Sequence, residues 1–106
     1  MSFGRWLALD DAAPEGPGLL QARRKAGLID YPTGKSAMVY YDADDESVAR
    51  ALGRLQSIVD NRDAYLVRYA PGETTLSPRQ SIERHLKQFE SRFGALPIFN
   101  RRTMHG

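Results

Sequence analysis

Apolar and polar positions along the chain divide it into three strand-like and two helical stretches. Leu19–Arg24 reads as a first strand with imperfect alternation, and Ala37-Met38-Val39-Tyr40-Tyr41 as its return, rich in aromatic and β-branched residues. Between them, 27–34 contains Asp30-Tyr31-Pro32-Thr33-Gly34, the composition of a loop at the tip of a long hairpin. Asp42 to Asp45 is acidic and turn-like, with Asp44 or Asp45 placed to cap the next helix. From Glu46 to about Asp60, Val48, Ala51, Leu52, Leu55 and Val59 recur at helical spacing. Asn61-Arg62-Asp63 breaks that run. Ala64–Ala70 then alternates as a third strand, with Tyr65, Val67 and Tyr69 on one face and Leu66 and Arg68 on the other.

After a loop over Pro71-Gly72-Glu73-Thr74-Thr75 comes the best-defined element. Ser77 caps a helix, Pro78 occupies its first position, and Gln80 completes a capping box. Ile82, Leu86, Phe89 and Phe93 form its apolar stripe, and Gly94 supplies a left-handed stop. Leu96-Pro97-Ile98-Phe99-Asn100 follows as a short docked segment, and 101–106 reads as a frayed end. Residues 1–13 read as a lead-in, and 11–18 as turn-rich. The order is ββαβα without a repeat or linker. It predicts one α/β (α+β) domain, a three-stranded central sheet flanked by helices.

Composition narrows the picture by exclusion. With 106 residues, 42% hydrophobic and 26% charged, the chain has an ordinary globular balance. It contains no cysteine, which excludes disulfides and thiolate metal sites. No apolar run approaches a membrane span and the first residues lack a signal-peptide core, so a cytoplasmic location is expected. Net charge is only +2, but 12 of the 15 basic residues are arginine, whose planar fork suits bidentate phosphate contacts. Arginine-favouring codon usage explains the same bias.

The stretch from Ser77 to Asn100, with a carboxylate early in a capped helix and a Pro97-x-x-Asn100 ending, resembles the C-terminal half of the GIY-YIG nuclease domain. GIY-YIG domains share the element order read above. Tyr40-Tyr41-Asp42 stands in the place of Tyr-Ile-Gly, keeping the tyrosine at Tyr40 and replacing the glycine by Asp42. Counting on from Tyr40, the family's arginine falls on Arg50, with Arg54 one turn later as the alternative. The family's glutamate maps to Glu83 and its closing asparagine to Asn100. For the first motif, Pro17-Gly18-Leu19-Leu20 is preferred over Gly27-Leu28-Ile29. Neither is followed by tyrosine, so Tyr31 or Tyr41 would substitute. The resemblance spans roughly 14–102.

What the resemblance implies is a metal-dependent endonuclease hydrolysing phosphodiester bonds in DNA. Glu83 would hold one Mg²⁺ or Mn²⁺, Arg50 would clamp a non-bridging phosphate oxygen, and Tyr40 would orient or deprotonate the attacking water. Arg50, Arg54, Arg68 and Asn100 would contact nucleic acid. A recruiting protein partner or an oligomer is expected for any specific nuclease role. Two other readings stand beside it. One is a non-catalytic nucleic-acid-binding module. The other is an interaction or structural domain in which those arginines scatter and Glu83 merely pairs with Lys87 at i,i+4.

Other constellations fall away on spacing. Gly34-Lys35-Ser36 resembles the end of a phosphate loop, but Ile29 stands where its first glycine is required. His85 and His105 are too isolated for a zinc pair. Asp42, Asp44, Asp45 and Glu46 lack the glycine and frame of a calcium loop and read as helix-capping residues.

Overall fold

The computed structural model describes residues 3–72 and 75–103. In chain order the elements are β1 (Leu7–Ala8), β2 (Gly18–Arg24), β3 (Ile29–Tyr31), β4 (Gly34–Ser36), β5 (Met38–Asp44), α1 (Val48–Ile58), a short 3-10 turn (Arg62–Ala64), β6 (Tyr65–Ala70), α2 (Pro78–Phe93) and α3 (Ile98–Thr103). The main sheet has the order β1-β6-β2-β5 and every neighbouring pair is antiparallel. The fold is α+β, with β2 central and β5 at one edge.

Alternation along the strands explains why both faces of this sheet are covered. Leu20, Ala22, Val67 and Tyr69 pack with Val48, Ala51, Leu52 and Leu55 of α1 in the larger core. Leu19, Ala43 and Ala70 point the other way and meet Ile82 of α2 in a smaller one. Helices on both faces bury β2 from Gly18 to Ala22, which is why its sequence alternates poorly there. Where the β2–β5 register shifts between Ala22 and Arg23, the adjacent residues Val39 and Tyr40 both enter the larger core.

Helix ends follow their capping chemistry. Ser77 accepts from the Gln80 amide and the Gln80 side chain accepts from the Ser77 amide, closing the capping box. Gly94 ends α2 at φ 80°, and its amide bonds the Glu90 carbonyl. Ahead of α1, Asp44 Oδ1 accepts from the amides of Glu46 and Ser47, while Ser47 itself is the N-cap and makes no side-chain cap bond. Asp45 serves a different helix: it accepts from the Arg79 amide in the first turn of α2.

Four expectations from the sequence change. The main sheet has four strands rather than three, because Leu7–Ala8 of the expected lead-in pairs with Val67 and Leu66. The hairpin tip is not a plain loop: β3 and β4 pair there and dock on the end of α2, where the Thr33 amide and hydroxyl reach the Phe93 and Arg92 carbonyls. The return strand runs on through Asp42–Asp44, which the acidic composition had suggested as a turn. The docked segment and the start of the supposed frayed end form α3. The loop positions Glu73 and Thr74, and 104–106 with His105, lie outside the described residues. No helix among the described residues is long and apolar enough to cross a membrane.

Candidate functional site

An edge strand leaves a row of backbone donors and acceptors unpaired. On the outer side of β5, Asn100 of α3 answers this at one residue. Its Oδ1 accepts from the Tyr41 amide at 2.9 Å and its Nδ2 donates to the Tyr41 carbonyl at 2.7 Å. Beside that contact a cleft of about 240 Å³ opens across the strand edge. Its walls come from four elements: Tyr40, Tyr41 and Asp42 of β5, Arg54 of α1, Arg79 and Glu83 of α2, and Asn100 of α3.

Asp42 is the electrostatic centre of the cleft. Its side chain is only 8% exposed, so its charge needs partners. Oδ2 accepts from Arg54 Nε at 2.7 Å and from the Tyr40 hydroxyl at 2.7 Å. Oδ1 accepts from Arg79 Nη1 at 3.2 Å and from the Ala43 amide at 2.8 Å. These bonds explain how an aspartate can occupy a buried position in a strand. The Ala43 carbonyl accepts from Arg54 Nη2 at 3.0 Å and Arg79 Nη1 at 3.3 Å. The hydrogen bond to Asp42 also raises the pKa of Arg54.

The tyrosines are held in their neutral form. Burial pushes the Tyr40 hydroxyl far above the ordinary tyrosine range, and the Asp42 charge beside it adds to the effect. Tyr40 is therefore a hydrogen-bond donor to Asp42 and a poor base. Tyr41 is pushed up to about 12, chiefly by burial, with Arg68 pulling the other way.

Glu83 lies on the exposed side of α2 and lines the same cleft. Among the described residues its side chain makes no hydrogen bond or ion pair, and the pairing with Lys87 that the interaction-domain reading expects is not formed. Of the cleft's two carboxylates, only Glu83 has oxygens uncommitted to the protein. No group of three or more His, Cys, Asp and Glu side chains suited to a metal occurs among the described residues. A divalent cation bound in this cleft would have Glu83 as its one uncommitted carboxylate ligand from the protein and would keep most of its waters.

The remaining candidates separate cleanly. Arg50 lies outside the cleft, exposed on α1 nearly opposite the buried stripe, and pairs with Glu46 at 3.2 Å. Arg54, one turn on, flanks that stripe and reaches the cleft. Arg68 lies elsewhere on the sheet, with Nε donating to Gln21 at 2.8 Å and the guanidinium over the Trp6 and Phe3 rings at 4.4 and 5.1 Å. The structure thus brings Tyr40, Arg54, Glu83 and Asn100 together and leaves Arg50 and Arg68 apart. Sequence reasoning passed over Asp42 and Arg79. A signal for Asp42 was present in the Tyr40-x-Asp42 spacing, which puts both side chains on one strand face. Arg79 carried none beyond its place in the first turn of a capped helix.

No protein-family model, no curated protein and no solved structure matches the chain.

Proposed function

We propose that this chain is a GIY-YIG-like domain whose cleft acts on nucleic-acid phosphodiesters, as a metal-dependent endonuclease on DNA. One observation carries the reading: Tyr40, Arg54 and Glu83, from a strand and two helices far apart in sequence, line the same cleft. In that role Arg54, not Arg50, is the residue positioned to contact a non-bridging phosphate oxygen, and Arg79 stands beside it. Glu83 would hold the Mg²⁺ or Mn²⁺, which when bound supplies Lewis-acid charge stabilisation. Tyr40 contributes as a neutral donor that orients groups through its hydroxyl, since burial and Asp42 keep it protonated. Asn100 acts by holding the Tyr41 backbone and so the cleft wall.

A second reading is favoured by Asp42, which already engages both Tyr40 and Arg54. A domain whose phosphate clamp is internally neutralised binds nucleic acid without cutting it. One experiment separates the two: cleavage of labelled branched, flapped and linear DNA with Mg²⁺ or Mn²⁺, beside Glu83→Ala, Arg54→Ala and Arg50→Ala. The endonuclease reading expects metal-dependent cutting that Glu83→Ala and Arg54→Ala each reduce by about a hundredfold or more, with Arg50→Ala close to wild type. Binding without cutting on any substrate moves the conclusion to the second reading. Absence of both refutes a nucleic-acid role.

A further inference from the structure

The two guanidiniums that meet Asp42 come from different helices, and each remains partly open to the cleft. Arg54 is 42% exposed and Arg79 55%, against 8% for the carboxylate between them. Structural arginines that exist only to neutralise one buried carboxylate need not present themselves this way. One carboxylate also leaves a surplus of donors. Arg79 gives only Nη1 to the protein, so its Nε and Nη2 make no hydrogen bond among the described residues. Arg54 spends Nε on Asp42 and Nη2 on the Ala43 carbonyl, with Nη1 3.5 Å from Asp44.

Two positive groups converging on a recessed, doubly hydrogen-bonded oxygen pair form the arrangement that a phosphoryl group also satisfies. The geometry points to a phosphate site formed by Arg54 and Arg79 that Asp42, as an internal anion, occupies in the resting chain. The arginines have anchors besides Asp42. Both also donate to the Ala43 carbonyl, and the Asp45 carboxylate fixes the Arg79 backbone. The α2 N-terminus is not the site, because the amides of Arg79 and Gln80 are already taken by Asp45 and Ser77. In the resting cleft Asp42 is paired with both arginines, while Glu83 lines the same cleft and Asp44 lies 3.5 Å from Arg54, so an incoming phosphate is attracted more weakly than by the bare fork. Neutralising or displacing Asp42 removes the one negative charge that is paired with both arginines.

This deepens the proposed function by identifying what restrains phosphate binding in its cleft, and it rests on that reading for the identity of the natural ligand. Its test uses neither nucleic acid nor metal, so the two can fail separately. Pyrophosphate binding is measured by calorimetry on wild type, Asp42→Asn and the double variant Asp42→Asn/Arg79→Gln, each first shown to unfold cooperatively. Asp42→Asn should tighten binding by roughly tenfold or more, since a like charge in contact is removed. The double variant should fall back to the wild-type level. Unchanged or weaker binding in folded Asp42→Asn would overturn the proposal and make Asp42 a residue that merely positions the arginines. If Asp42→Asn does not fold, Asp42→Ser takes its place. If neither folds, Asp42 is a structural requirement of the fold and not a displaceable occupant, and the proposal is overturned.

Discussion

Burial fixes the protonation of single tyrosines here, and that has a consequence for alkaline stability. Tyr41 and Tyr69 are both pushed up to about 12 from 10.0, mainly by burial, with the Asp11 charge adding at Tyr69. A raised tyrosine holds its proton more tightly in the folded chain than in the unfolded one. Its stabilising contribution is therefore whole below about pH 10 and is lost as pH rises toward about 12. Urea unfolding across that window should show a falling midpoint. Tyr69→Phe offers a control at the same scale. The Tyr69 hydroxyl is buried without a hydrogen-bond partner among the described residues, so the variant should stay within about 0.5 kcal/mol of wild type at neutral pH. It should also lose stability less steeply at high pH. A steep, unchanged alkaline loss in Tyr69→Phe would show that this phenol does not contribute.

Among the elements, β5 and α3 decide the shape of the site. Asn100 satisfies both backbone groups of Tyr41 on the edge strand, so Asn100→Ala should cost about 2–3 kcal/mol in unfolding free energy. Its amide-exchange signature should be local, with the Tyr41 amide losing protection before those of β2. Uniform loss across the sheet would place the role of Asn100 elsewhere. The helices were legible from sequence because their signals are local: the Ser77–Gln80 capping box and the left-handed Gly94 need only nearby residues. β1 and α3 were not. A two-residue strand has no period, and the α3 segment spans too few residues to show one. Asp42 was misread for a different reason. Its burial is made possible by Arg54 and Arg79, 12 and 37 positions away, and no local pattern announces such partners. Arg50 was the wrong turn of the right helix for reaching the cleft, since counting from Tyr40 does not fix where α1 begins.

At the scale of the whole molecule, the cleft is a product of sheet order. Because β5 is an edge strand with α1 on one face and α2 on the other, side chains from both helices can meet across it, and α3 closes one end. With a net charge of only +2, the surface as a whole offers little attraction to a polyanion, so the proposed binding rests on local placement of arginine. A competing location exists on the sheet at Trp6, where Arg68 and Arg23 lie 4.4 and 5.4 Å from the ring. The most direct measurement of the central claim is an NMR titration of the ¹⁵N-labelled protein with a short branched DNA, following backbone amides and arginine Nε signals. The cleft account predicts shifts concentrated at Tyr41, Arg54, Arg79 and Glu83, weakening as salt rises. Shifts centred on Trp6, Arg23 and Arg68 with the cleft silent, or no shifts at low salt, would contradict it.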